Sequence, residues 1–270
     1  MPDIIVLIPH YNDIEGLNKS LNSVSDQEAV DVLIIDDGSI VKPDQNKLKG
    51  KFNNINDIIV LLSSPNKGQP HVENIGLKYI IDSGKYKYIA RLDSGDTSYP
   101  ERFKIQKQFF EQNPDISIIG THAMVVDLKG EKLFFSKMPL THKIIKKNIH
   151  VHNCFLHSTI MFRVEALNKV GFYSMDYFAN DDYDFWFRFI KKTLTANIDK
   201  CLGNIELNSN SLSRSKYRKV LRAGIRILLK HFSFKYFFYS IRGLLRAFAC
   251  YIIGVKLAMK ISILLNKNKQ

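Results

Sequence analysis

No aspartate or glutamate follows Glu206 in this 270-residue chain. Residues 207–270 hold 14 lysines and arginines, whereas residues 1–206 hold 25 basic and 26 acidic side chains. The body is therefore close to neutral, and the whole formal excess of +13 resides in the C-terminal tail. That asymmetry points to an anionic partner for the tail, either a membrane surface or a nucleic acid. Cysteine is also scarce. Cys154, Cys201 and Cys250 include no C-x-x-C pair, which argues against a zinc framework or a disulfide scaffold and suits a reducing compartment. Long apolar runs are missing. The N-terminal run, Ile4 to Ile8, has the length of a strand, with no basic segment before it and no cleavage site after it; no secretory signal is expected, and the cytoplasm is the expected location. After Arg246 the longest uncharged stretch is AFACYIIGV, far short of the roughly 20 residues a membrane-spanning helix needs. Two nucleotide signatures are absent too. No G-x-G-x-x-G follows the first apolar run, which argues against a dinucleotide dehydrogenase, and no G-x-x-x-x-G-K-[ST] occurs, so the chain is not a P-loop protein.

The residues that are present describe an α/β domain. At 45% hydrophobic and 24% charged, the chain can bury a core. Strand-like runs at 3–8, 30–36, 58–62 and 86–92 alternate with helical spacing at 14–26, 70–83 and 100–112. Asn12 or Asp13 suits an N-cap, Gly84 a C-cap, and Pro100 a first helical turn. Continuous apolar strands between helices predict a mostly parallel sheet covered on both faces. Beyond residue 115 the pattern loosens to a hairpin turning at Lys129-Gly130, a strand at 158–163 and a helix at 180–192 opened by acids. The one compositional break lies near residue 207, giving an expected domain of 1–206, divided into a nucleotide-binding half (1–115) and an acceptor half (116–206), and a basic helical tail (207–270).

Ligands of such sheets bind outside the C-terminal strand ends, and three polar signals fall there: PHYN, DDGS and DSGD. The pair Asp93 and Asp96 on a turn is a hard-oxygen site suited to Mg²⁺ or Mn²⁺, which in turn binds phosphate oxygens. Asp36 and Asp37 are placed to accept hydrogen bonds from a base or ribose. Gly68 permits close backbone approach before a helix N-terminus that suits an anion. Together these predict a site for a nucleoside diphosphate with a metal. Taken singly, each acid pair also reads as a solvated turn.

PHYN, IIDDGS, NKGQPHVENIGL, YIARLDSGDTSYPERF and VGFYSMDYFANDDYDFWFR, in this order, resemble the family 2 glycosyltransferases of the GT-A fold, over about residues 3–200. NCFLHSTIMFR resembles a block of bacterial members that build surface polysaccharides such as lipopolysaccharide or capsule. The resemblance implies an inverting transferase that uses a nucleotide-diphosphate sugar, most simply a UDP-sugar, and Mn²⁺ or Mg²⁺. It implies donor contacts from Pro9, Tyr11, Asn12, Asp36, Asp37, Asn66, Gly68, Arg91 and Asp93. It implies metal ligation by Asp96 and Asp93, and a general base among Asp181 and Asp182, with Asp182 preferred. His157 and Trp186 fall on the acceptor side, although a structural histidine and a core tryptophan are the competing readings. The family's metal motif usually has Asp where this chain has Gly95, so its carboxylate set is thinner by one.

The tail mixes cations with Phe, Tyr, Leu and Ile at helical spacing. It reads as a basic amphipathic helix lying in the membrane interface, against a helical cap on the body or a solvated helix. The expected partners are a nucleotide sugar, a lipid-linked glycan acceptor and an anionic membrane, with the protein peripheral on its inner face. No nucleic acid is expected, because no reading module accompanies the tail. Two other classes follow from particular residues. Gly95 admits a catalytically weak sugar-nucleotide-binding protein, and the basic tail admits a nucleic-acid-binding protein with a vestigial core.

Overall fold

The structure is a computed structural model and describes residues 2–25, 28–207 and 216–254. Four parallel strands start the sheet: β1 (Ile4–His10), β2 (Val30–Asp37), β3 (Asp57–Ser63) and β4 (Tyr88–Arg91), in the order β3-β2-β1-β4. Every residue of β2 is buried, as expected of a strand covered on both faces. The alternation of side chains along β1 divides the core in two. Ile5 and Leu7 join the cluster beneath α3 (Gln69–Ser83) and α7 (Asp181–Lys192), whereas Ile4, Val6 and Ile8 join the cluster beneath α1 (Ile14–Asn22) and α4 (Arg102–Gln112).

Past β4 the sheet is mixed rather than mostly parallel. β8 (Met161–Arg163) runs antiparallel to both β4 and β6 (Ile116–Val126). Next comes β9 (Leu194–Glu206), parallel to β6 but with shifts of register, and then the short β5 (Thr97–Ser98). β7 (Lys132–Ser136) closes a hairpin on β6 at Gly130. One sheet thus runs through both expected halves of 1–206. Short helices α2 (Gln45–Lys51), α5 (His142–Asn148) and α6 (Leu167–Val170) complete the body.

In the tail, α8 (Tyr217–Lys230) and α9 (Phe237–Ile253) form two helices joined by a single turn at Phe234–Tyr236. The expected tail helix also covered 208–215 and 255–270, which lie outside the described residues. α8 buries Ala223, Ile227 and Leu228 in the core that holds α7, so it caps the body. α9 docks through Gly243. A Cβ there would stand 1.9 Å from the His150 carbonyl oxygen, and only glycine permits that approach. The outer face of α9 leaves Phe238, Leu245, Phe248 and Ile252 exposed. Among the described residues no helix is long and apolar enough to cross a membrane.

Candidate active site

The C-terminal ends of β1, β2 and β4 open into one crevice, whose far wall is the N-terminus of α7. Hydrogen bonds between the strand-end loops fix its shape. Asn12, at φ 51°, donates its N–H to Ser39 Oγ (2.8 Å) and accepts from the Ile40 N–H at Oδ1 (2.8 Å). Asp36 accepts from both the N–H and the hydroxyl of Ser39. Asp37 accepts from the N–H groups of Lys67 (2.9 Å) and Gly68 (2.8 Å). Both carboxylates of this expected base-and-ribose pair are buried and spent on ordering the loops. Tyr11, 51% exposed, and the exposed Asn66 stand at the opening instead. Pro9 lies at the end of β1, where its carbonyl faces Ser94.

Arg91 was expected at the donor, and the structure places it under the crevice with a fully buried side chain. Its Nη1 donates to the Leu7 carbonyl (2.6 Å), and its Nη2 bridges Glu73 (2.8 Å) and Asp93 (2.6 Å). Asp93 also accepts from Ser158 Oγ (3.0 Å) and Gln69 Nε2 (3.3 Å). Burial opposes its ionisation, but the Arg91 guanidinium, with the Ser158 hydroxyl, holds its carboxyl below the usual value. Asp93 is thus a carboxylate aimed by its neighbours, with about a third of its side chain left open to the crevice.

His157 lies in the same network. Its Nε2 is 3.0 Å from Tyr173 Oη and 3.6 Å from Glu73, and its ring packs against Trp186. Burial and then Arg91 push it down to about 3, so it is neutral at physiological pH. Trp186 is fully buried among Phe155, Phe185 and Phe189. It forms part of the floor beside Asp182.

Asp181 and Asp182 begin α7. Asp181 is buried, and burial, followed by Glu73 and Asp182, raises its pKa well above the carboxylate range. Asp182 is only half-buried. It accepts from the Tyr183 N–H (2.7 Å) and from Asn153 Nδ2 (2.9 Å). Burial pushes it up to about 6, with Asp93 adding to the rise against those hydrogen bonds. A carboxyl that loses its proton near pH 6 is suited to accept one at neutral pH.

Gly95 separates the outer acids of the DSGD turn, with φ at 95°. Asp96 is buried and accepts from the Glu206 N–H (2.8 Å). Burial, and then Asp93, pushes Asp96 up to about 7. The Glu206 carboxylate, at the end of β9, would lie 3.4 Å from a Cβ built on Gly95, and its other oxygen meets Lys19 Nζ at 2.5 Å. Asp93, Asp96 and Glu206 thus crowd carboxylates around one glycine. A hard-oxygen set whose Asp96 holds its proton more tightly in the absence of a cation fits Mg²⁺ or Mn²⁺. Among the described residues the group that brings three donor atoms within 4.8 Å of one another is a different one, Glu73, Asp93 and His157, and there the Arg91 guanidinium already bridges the two acids.

Sequence reasoning passed over Glu73, Ser158, Tyr173 and Glu206. For Glu73 a signal existed: with Leu77 and Ile80 it stands at i, i+4 and i+7, on the buried face of α3. Glu206 gave none, because β9 itself was not read.

Comparison with known proteins follows the same residues. Positions 5–171 match the family described as glycosyl transferase family 2. A 145-residue stretch is 32% identical to the O-antigen biosynthesis glycosyltransferase WbnJ of Escherichia coli, covering 53% of this chain and 56% of that protein. The amylovoran biosynthesis glycosyltransferase AmsE of Erwinia amylovora is 23% identical over 82% of this chain and 83% of its own length. The fold is shared with S. aureus TarS 1-349 in complex with UDP-GlcNAc, at TM-score 0.64, 18% identity, and 85% of this chain against 66% of that one. It is shared as well with the mannosyltransferase PcManGT of Pyrobaculum calidifontis in complex with GDP-Man and Mn²⁺, at TM-score 0.65, 12% identity, and 99% of this chain against 81% of that one.

Proposed function

The chain belongs to glycosyl transferase family 2, and from that premise we propose that it moves a sugar, with inversion, from a nucleoside diphosphate sugar to a lipid-linked oligosaccharide during assembly of a bacterial surface polysaccharide. UDP is the expected nucleotide. The observation that carries the reading is Asp182, a half-buried carboxyl pushed up to about 6, held by Asn153 and within electrostatic reach of Asp93. The O-antigen and amylovoran relatives support the polysaccharide class. The UDP-GlcNAc and GDP-Man complexes of the structural neighbours support the donor class.

Asp182 takes the proton from the acceptor hydroxyl as its oxygen bonds to the anomeric carbon. The bond from that carbon to the diphosphate breaks on the opposite face, and the diphosphate leaves with the electron pair. Asp93, Asp96 and Glu206 would hold Mn²⁺ or Mg²⁺, which supplies positive charge against the leaving diphosphate. Arg91 and Ser158 keep Asp93 ionised and aimed. Asn153 fixes the Asp182 carboxyl. Tyr11, Asn12 and Asn66 line the entrance for the base, and Gly68 lets the donor approach the N-terminus of α3. The basic, aromatic outer face of α9 would set the protein on the anionic inner leaflet, beside a lipid-linked acceptor.

Because Asp182 must be ionised to act, kcat/KM should fall about tenfold per pH unit below pH about 6. A pH series of transfer to a synthetic acceptor checks this; a flat profile from pH 5 to 8 removes Asp182 as the base. Gly95→Asp tests the thinned motif. If the missing acid merely weakens the metal, the change raises Mn²⁺ affinity. With φ at 95° and Glu206 already facing that position, the expected result is a stability loss of about 1–3 kcal/mol and no gain in Mn²⁺ affinity, read by urea unfolding and by electron paramagnetic resonance of the ion.

A further inference from the structure

A cavity of about 260 Å³ opens on the far side of the molecule, between α5, the C-terminal end of α7 and the turn that joins α8 to α9. It lies at the opposite end of α7 from the catalytic carboxyls, roughly 15 Å away at 1.5 Å per helical residue. Lys146, Lys191 and Lys235 reach it from three separate elements. Lys191 donates to His231 Nδ1 (2.8 Å). Lys146 and Lys235 have no carboxylate partner among the described residues. The acid beneath the cavity, Asp184, is already shared by Arg188 (2.9 Å), Lys230 (2.9 Å) and His231 (3.0 Å). Three lysines therefore line one cavity without a carboxylate of their own among the described residues.

The surface beside the cavity is apolar. Phe234 precedes Lys235 and Phe238 follows it by three residues, at 85% and 84% exposure. The exposed stripe continues along α9 through Leu245, Phe248 and Ile252, at spacings that keep one helix face. Arg242 and Arg246 are exposed on the same helix. Bare aromatic rings beside lysines are costly in water and favourable at a lipid surface, where rings insert and cations meet phosphate. At about 30 Å³ per water, the cavity has room for a phosphate group and several waters.

We propose that this cavity binds the phosphomonoester head group of a membrane lipid while Phe234 and Phe238 insert beside it. The proposal rests on reading the C-terminal helices as a membrane-facing surface. A monoester carries about −1.5 to −2 charges near neutral pH, which three lysines match better than they match a singly charged diester. The crowding of cations agrees. Burial, Lys191 and His231 push His150 down to about 4, and burial together with Lys230 depresses Lys191. An anion in the cavity relieves that repulsion. The site would orient the protein on the bilayer through a contact remote from the reacting groups.

The test uses the full-length protein and phosphatidylcholine vesicles carrying equal mole fractions of phosphatidic acid or phosphatidylglycerol. Tighter co-sedimentation with phosphatidic acid is expected. Lys191→Ala/Lys235→Ala should weaken that binding by roughly tenfold or more, at about 1 kcal/mol per cation, and abolish the preference. Phe234→Ser/Phe238→Ser should weaken binding to both vesicles alike. Because Lys191 touches His231, the exposed single variant Lys235→Ala serves as the control for folding. In parallel, inorganic phosphate should shift the ring proton resonances of His150 and His231 saturably in the parent and not in the double lysine variant. Equal binding to both vesicles overturns the cavity proposal and leaves the membrane surface standing. Binding to neither overturns the membrane surface and, with it, the lipid as source. Ring resonances unmoved by phosphate overturn the cavity as an anion site whatever the vesicles show.

Discussion

Asp182→Asn should lower the rate of sugar transfer by about 10²–10⁴-fold while leaving nucleotide binding unchanged. That range is what a positioned general base contributes. The amide keeps the shape of the carboxyl and its contact with Asn153, but it cannot take a proton at any working pH. Asp182 is held by Asn153 and the Tyr183 N–H rather than by the DSGD turn, so the donor should bind as before. Single-turnover transfer and calorimetric titration of the nucleotide, run on one preparation, separate the two effects. Asp181→Asn is the internal comparison. Burial, Glu73 and Asp182 raise the Asp181 pKa well above its usual value, and its side chain is more buried than that of Asp182, so its amide replaces an acid less available as a base and should cost less. If Asp182→Asn retains transfer, or if Asp181→Asn is the variant that loses it, the base is misassigned.

Arg91→Ala should be the most destabilising single change in the site. Arg91 is fully buried, and its guanidinium serves Glu73, Asp93 and the Leu7 carbonyl. Removing one member of a buried ion network leaves the others uncompensated and costs about 3–5 kcal/mol. In a domain of this size, where each kcal/mol is worth about 2–4 °C, the melting temperature should fall by roughly 10 °C. The loss should grow with pH. Without the guanidinium, Glu73 and Asp93 have folded-state pKa values above their unfolded ones, so the variant is least impaired where both are protonated and loses stability as pH rises through those values. Arg91→Ala/Glu73→Gln removes one stranded charge and should recover part of the loss. Thermal unfolding at pH 5 and pH 8 reads all three effects. A single variant that melts with the parent at both pH values would mean that Arg91 is not the keystone of the network.

The first half of the fold was legible because each strand there carries a short apolar run and the first and third helices carry their own punctuation. Asp13 caps α1, Gly84 closes α3, and the acids at the end of β2 and after β4 fall on the C-terminal edge of the sheet, where parallel-sheet geometry puts them. The second half was less so. β9 alternates imperfectly, shifts register against β6 and carries Lys200 and Asp199 in its middle, so no period of two is visible in it. With β9 unread, Glu206 could not be placed beside Gly95. Arg91 illustrates a different gap. A charged residue at a strand end beside two acids reads as a ligand contact, and only the burial of Glu73 on the facing helix makes it an internal counter-ion. The same holds for Asp36 and Asp37, whose partners are backbone N–H groups and a hydroxyl from loops distant in sequence. Trp186 was weighed as core or acceptor contact, and helical spacing alone could not decide between them.

Calorimetric titration of UDP with and without Mn²⁺, with GDP, dTDP and CMP as comparisons, tests whether the strand ends form a metal-dependent nucleoside diphosphate site. UDP should bind when Mn²⁺ is present and weakly or not at all when it is absent, and Asp93→Asn and Asp96→Asn should each erase that difference. Failure of every nucleotide to bind in the presence of Mn²⁺ would contradict the account.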